Sequence, residues 1–314
     1  MYDVVCTGIL VADVLAKTVE GLPDKGKLEQ VDRIELFPGG CAVNAAIAMA
    51  RLGINVALIG KIGKDGFGNF ISNALQRENV DIQGLVEDEK CGTSASVVTV
   101  DSTGERTFLH SIGANGEFTY EDIDWQVIEN SKIVFIAGTM LMPKFDGKQC
   151  ADFLQSVQKA GHITALDTAW DSTGRWMEIL EPCMKHIDLF MPSIEEAIML
   201  SGEKEPDKIA NLFLSMGVKT VVLKLGKKGC YIKSPQDSYC IPTYTRYNAV
   251  DTTGAGDSFA AGFLTGLSKG WGLYQCGVFA NAVGTHCVMS AGASTGIRSF
   301  DETIDFINSN QLGG

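Results

Sequence analysis

Nothing in this chain is spaced as a metal site or a disulfide framework would require. Its nine cysteines (Cys6, Cys41, Cys91, Cys150, Cys183, Cys230, Cys240, Cys276, Cys287) include no C-x-x-C pair. The four histidines (His110, His162, His186, His286) stand at ligand spacing from none of them. A zinc site is therefore excluded by spacing, and reduced, buried thiols are the expected state. Basic residues are also scarce: 26 Lys and Arg face 38 Asp and Glu, for a net charge of −12. Such a surface repels a phosphate backbone and argues against nucleic-acid binding. Any anionic ligand must then be held by local devices, chiefly backbone N–H groups and helix ends. No apolar run approaches the ~20 residues of a membrane span. The opening "MYDVVCTGIL" has an acid and no basic flank, so it reads as a strand rather than a leader. A soluble, cytoplasmic protein with no membrane partner is expected.

Two nucleotide-binding signatures are missing as well. "GLPDKGKL" (Gly21–Leu28) nearly spells the phosphate loop GxxxxGK[ST], but Leu28 stands where a magnesium-binding hydroxyl is needed. A proline lies inside it, and no strand or helix flanks it, so it is a turn. No GxGxxG follows the first strand, and "GKIGKDGFG" (Gly60–Gly68) has the wrong spacing. The main warrant for a nicotinamide enzyme is thereby removed.

What is present is alternation. β-branched runs such as "NVALIGKIG", "SKIVFIAG", "HITALD" and "KTVVLKLG" alternate with helical patterns such as "AVNAAIAMARLG" and "GKQCADFLQSVQKAG". That rhythm predicts an α/β fold, a mainly parallel sheet covered by helices on both faces. Gly53, Gly161, Gly217 and Gly270 fall where left-handed helix ends belong. Two stretches, 16–40 and 91–110, read as β structure without helices, the second as a hairpin turning through "DSTG". They would form a small sheet over the C-terminal edge of the main one, where such folds bind ligands. The core is then 1–15, 41–90 and 111–314. Two independent surface hairpins would give the same pattern.

Two glycine-rich motifs carry chemistry. In "FPGGCAVNAAIAMARLG" (Phe37–Gly53), Gly39 and Gly40 let backbone approach a ligand, and Asn44 offers a donor and an acceptor to a polyol. A tight turn before a buried helix would look similar. "DTTGAGDSFAAGF" (Asp251–Phe263) says more. If a helix begins near Asp257, the small residues Gly254, Ala255 and Gly256 leave their N–H groups open as an anion hole. Asp257 could merely cap that helix, or it could ligate a cation. The third reading is favoured: a base beside a phosphate, accepting the proton of an attacking hydroxyl.

Taken in order, Gly39–Gly40 with Asn44, "GKIGKDGFG" and "DTTGAGDSFAAGF" resemble the ribokinase-like (PfkB) carbohydrate kinases across essentially the whole chain. The resemblance implies a three-layer α/β/α core, a β lid and ATP-dependent phosphorylation of a sugar-like hydroxyl. It makes Asp257 the base and 254–256 the anion hole. Asp13, Gly39, Gly40 and Asn44 become the sugar face. Lys224, Gly226 and Gly229, in "VVLKLGKKGCYI", fall on the nucleotide side, and Asn281 at the adenine pocket. Glu196 is matched to Mg2+ through water. Asp251, Thr253 and Gly292 resemble a monovalent-cation site, making K+ a candidate. By resemblance alone, the lid could also pair two subunits as a homodimer.

Three positions depart from the family pattern. Ser193 replaces the Asn of its magnesium-linked stretch, Cys41 replaces a Lys after the double glycine, and Val11 replaces an Asn before Asp13. The last two remove polar contacts expected for ribose, whereas "GAN" (Gly113–Asn115) favours it. A nucleoside kinase of the same architecture is the alternative, with Phe37 and Phe108 as candidate walls for a base. A sugar-binding sensor is more remote, because Asp257 and the "GAG" run are intact.

Overall fold

The computed structural model describes residues 1–313. Two sheets organise them. The larger has nine strands, in the spatial order β13 (Ser238–Ile241), β12 (Cys230–Lys233), β11 (Thr220–Lys224), β10 (Leu189–Phe190), β9 (Ile163–Thr168), β8 (Ser131–Thr139), β1 (Tyr2–Gly8), β4 (Val56–Gly63) and β5 (Asp81–Asp88). From β11 to β5 every neighbouring pair is parallel, and β12 and β13 close one edge antiparallel.

The strands are apolar on both sides because both faces are covered. Side chains alternate along a strand. Val4 and Cys6 pack into one cluster and Val5 into another; Phe135 parts likewise from Val134 and Ile136, and Val222 from Val221 and Leu223. The first cluster holds the helices Cys41–Arg51, Ala255–Ser268 and Leu273–Val288. The second holds Lys148–Lys159, Met177–Met184 and Pro206–Ser215. The result is the expected three-layer sandwich. All four helix-ending glycines adopt positive φ.

The smaller sheet has the order β3 (Arg33–Gly39), β2 (Val11–Lys17), β6 (Ala95–Val100), β7 (Arg106–Ser111). β2 pairs with β6 in parallel, so the two excursions join edge to edge rather than standing as separate hairpins. In the β6–β7 turn, Asp101 accepts from the backbone N–H groups of Thr103 and Glu105 at 2.8 and 3.0 Å. This sheet begins earlier than the sequence suggests. Residues 11–15, read as core, pair within it, because one apolar run continues from β1 into β2 without polar punctuation. Gly21–Leu28 is irregular backbone with a turn, as its failed phosphate-loop pattern implied.

Among the described residues no helix is long and apolar enough to cross a membrane. All nine cysteines are free, but they are not all buried: Cys240 is exposed, and Cys41 and Cys91 are intermediate.

Candidate active site

The site is built around the start of the helix Ala255–Ser268. Its N-cap is Gly254, at φ 74° and ψ 1°, and no side chain caps it. A Cβ at Gly254 would lie 2.4 Å from the Ala293 carbonyl oxygen, so only glycine fits. The helix therefore begins two residues before Asp257, which sits in its first turn rather than at its cap. The Ala255 N–H donates to the Thr252 carbonyl at 3.2 Å, which leaves the Gly256 amide among the open donors at the positive end of the helix dipole. Lys224, at the end of β11, reaches the same place: a Cβ on Gly256 would lie 3.2 Å from its Nζ.

Asp257 is held from the helix Cys41–Arg51. Asn44 Nδ2 donates to its Oδ2 at 2.8 Å, and Cys41 favours its ionised form. Burial pushes the Asp257 carboxyl above the usual carboxylate range; Asn44, Lys224 and Cys41 oppose that rise, and Glu196 adds to it. Asn44 is only 5% exposed, and its Oδ1 has no hydrogen-bond partner. A buried acceptor in that condition costs on the order of 1–3 kcal/mol until something donates to it.

Lys224 Nζ donates to Asp167 Oδ2, at the end of β9, at 2.5 Å. Burial works against the ammonium charge, but Asp167, Glu196 and Asp257 outweigh it and hold the Lys224 pKa above its ordinary value. Burial also carries Asp167 up to about 7, with Glu196 and Asp257 adding to the rise against the pull of Lys224. Three carboxylates share one ammonium here, so the pocket retains protons at the acid end of neutral.

Glu196 lies in the first turn of the helix Ile194–Ser201. Ser193 caps that helix, and Glu196 Oε2 closes a capping box by accepting from the Ser193 N–H at 2.9 Å. The same oxygen accepts from the Thr168 hydroxyl at 3.0 Å. No cluster of three or more His, Cys, Asp or Glu that could hold a metal exists among the described residues. This donor set suits a cation that brings its own ligands, as Mg2+ does with phosphates and water.

Beside the helix start opens a cavity of about 480 Å³, lined by Lys224, Gly226, Gly229, Ala255, Gly256 and Asn281 among others. Its size lies within the range of small-molecule pockets. Asn281 spends its Nδ2 on the Ile241 and Pro242 carbonyls, both at 3.2 Å, and so fixes the cavity wall.

On the other side of Asp257, Asp13 on β2 pairs in register with Phe37 and Ser96. Burial raises the Asp13 carboxyl pKa, and a hydrogen bond from Ser96 opposes the rise. Ser96 Oγ in turn lies 3.1 Å from His110 Nδ1. A Cβ on Gly39 would meet Asp13 Oδ2 at 2.0 Å, and one on Gly40 would meet the Ile9 carbonyl oxygen at 2.4 Å. The double glycine is what lets this carboxylate stand against the chain entering the Asn44 helix. Asn115, of the "GAN" stretch, is buried and used on Leu10, donating to its carbonyl at 2.9 Å and accepting from its N–H at 3.1 Å. Phe37 is half-buried, whereas Phe108 is 59% exposed on β7.

The residues matched to a monovalent-cation site do converge. Asp251 accepts from the N–H groups of Thr253 and Gly292 at 2.8 and 2.9 Å. A third donor is already present, however: Arg106, at the start of β7, places Nη2 2.8 Å from Asp251 Oδ2 and hydrogen-bonds the Thr253 hydroxyl. Burial acts to raise the Asp251 pKa, yet Arg106 and the two amides overcome it and hold the carboxyl at about 2.

The chain matches the pfkB family carbohydrate kinase over residues 1–299. This chain belongs to that family. A ribokinase of Staphylococcus aureus is 30% identical over 293 residues, spanning 91% of this chain and 93% of its own. An ATP-dependent 6-phosphofructokinase of Thermoanaerobacterium thermosaccharolyticum is 27% identical over 305 residues, spanning 96% and 92%. Arabidopsis thaliana ribokinase, solved with ribose and ATP, is similar at a TM-score of 0.87 and 25% identity, over 98% of each chain. The protein is a ribokinase-fold sugar kinase, a phosphotransferase acting on an alcohol group, and the family implies ATP and Mg2+.

Sequence reasoning missed three residues of this cluster. Asp167 had a usable signal, as the last acid of "HITALD" at the ligand-binding edge of a parallel strand. Cys41 was read only as a lost lysine, yet it favours the ionised form of Asp257. Arg106 had no local signal, because its partners lie about 145 residues onward.

Proposed function

We propose that this kinase transfers the γ-phosphate of ATP to a hydroxyl, taken to be primary, of a small carbohydrate, with Asp257 as general base. One observation carries the reading: Asn44 holds Asp257 with its Nδ2 while its own buried Oδ1 lacks a donor. A second hydroxyl of a polyol on the Asp13, Gly39, Gly40 and Asn44 face could donate to that oxygen, while the reacting hydroxyl points its own proton at Asp257.

Sugar binds first on that face, and the small sheet closes over it to exclude water, which would otherwise be phosphorylated in its place. ATP occupies the 480 Å³ cavity, with Gly226, Gly229 and Asn281 on its walls. The 254–256 segment, through its open Gly256 amide, and Lys224 receive the charge that develops on the transferred group, and Asp257 takes the proton. Mg2+ would supply positive charge to offset that of the phosphates, and Glu196 would hold it through water. The raised pKa of Asp257 suits a base that must accept a proton near neutral pH.

The lid also supports pairing with a second copy, since Val97 and Leu109, partners in the β6–β7 register, are 41% and 58% exposed. The test of the activity is ATP consumption with ribose, fructose, 2-keto-3-deoxygluconate, inositol and nucleosides, with and without Mg2+. Turnover with a free sugar is expected. Turnover with nucleosides alone would reassign the acceptor, and none with any acceptor would overturn the proposal.

A further inference from the structure

The carboxylate matched to a monovalent-cation site already has a cation of its own. Asp251 is only 6% exposed at its side chain, and its two oxygens take three donors: the Thr253 N–H, the Gly292 N–H and Arg106 Nη2. The Thr253 hydroxyl is used by the same guanidinium. The Cys287 thiol lies 3.4 Å from the Thr253 carbonyl oxygen and 3.2 Å from that of Ala293, and its one proton can serve only one of them. A dehydrated K+ here would find the Asp251 carboxylate already taken and would face a fixed positive charge. Two like charges that close repel strongly.

We infer that Arg106 stands in for the monovalent cation, neutralising Asp251 and fixing residues 251–253 so that the anion hole at 254–256 is in place. Resting on the kinase reading, this makes Arg106 a positioning residue. Its contacts are to Asp251 and Thr253, and it acts through the segment that leads into Gly254. Because Arg106 belongs to the small sheet, the same ion pair fastens the lid to the core at the helix that binds phosphate.

The test compares the wild-type protein with Arg106→Ala in KCl and in N-methylglucamine chloride of equal ionic strength, by melting temperature and by ATP turnover with an accepted sugar. Arg106→Gln, which keeps the side-chain stem, is carried in parallel. Wild-type melting and turnover should be the same in both salts. The variants should lose roughly tenfold or more of kcat without K+, with the ATP KM changed less, and K+ should restore most of it. K+ should raise the melting temperature of the variants alone. Wild-type activation or stabilisation by K+ would overturn the inference. So would variants that turn over normally without K+, or variants that K+ neither binds nor rescues. If no acceptor supports turnover even in the wild type, the kinase reading fails, and the melting data still decide the cation question.

Discussion

Asn44 and Asp257, separated by 213 positions in the chain, meet through a 2.8 Å hydrogen bond in which the amide donates to the carboxylate. The bond favours the ionised form of Asp257, against the burial that raises its pKa. Removing the donor in Asn44→Ala should therefore raise that pKa further. A base must be ionised to act, so activity falls as pH drops through its pKa. The acid limb of kcat should move to higher pH in the variant, and kcat at neutral pH should fall by roughly tenfold. A pH profile of kcat from 5 to 9 checks this; an unmoved acid limb contradicts it.

Gly39→Ala tests the acceptor face. Its Cβ would need the space of Asp13 Oδ2, 2.0 Å away, and a side-chain carboxylate can swing aside where backbone cannot. The sugar KM should rise by tenfold or more, with the ATP KM nearly unchanged. Equal effects on both constants would place Asp13 elsewhere in the reaction.

Gly254→Ala tests the other end. A side chain there is strained at φ 74° and collides with the Ala293 carbonyl, a backbone atom that cannot rotate away. The cost should be about 1–3 kcal/mol of stability, with a larger loss of turnover than any stability loss explains. Denaturant melts paired with kcat separate the two effects.

Lys224→Met removes the one ammonium among three carboxylates. In the wild type, Asp167 carries a pKa of about 7, above its unfolded value, so its contribution to stability is full in acid and is lost as pH rises toward 7. Without Lys224 that pKa climbs further. The variant should be destabilised more at pH 8 than at pH 5.5, by ~3–5 kcal/mol at the higher pH. Urea melts at the two pH values measure it; equal losses would mean that the two groups are not electrostatically linked.

His286 supplies an opposite dependence. It is buried against Phe306, 4.6 Å between ring centroids, with neither ring nitrogen hydrogen-bonded. Burial, helped by Arg298 and opposed by Glu302, takes its pKa down to about 4. The unfolded chain gains the proton first, near pH 6.5. The contribution is therefore complete above that pH and is lost as pH falls toward 4, by up to ~3 kcal/mol. His286→Phe should remove this part of the acid slope in denaturant melts between pH 7 and 4.5.

The layered core was legible because its strands are apolar on both faces, as in "KIVFI", and its helices end on glycine. The glycine-lined start of the helix Ala255–Ser268 was legible for a similar reason: "GAGD" sets small residues in adjacent positions ahead of an apolar run. Contacts between distant elements were not. The Lys224–Asp167 pair joins the ends of two strands, and Arg106 meets Asp251 only because the lid folds down. The lid boundary was misread for a local reason, since Val11–Lys17 continues the apolar run of β1 and nothing in composition marks the change of sheet.

The most direct measurement is Asp257→Asn, assayed for ATP binding, sugar binding and single-turnover phosphate transfer. The amide keeps the shape and can still meet Asn44, but it cannot take a proton. Both ligands should bind within a few-fold of wild type, while transfer slows by roughly a hundredfold or more. Transfer at a near-normal rate with both ligands bound would contradict the account at its centre.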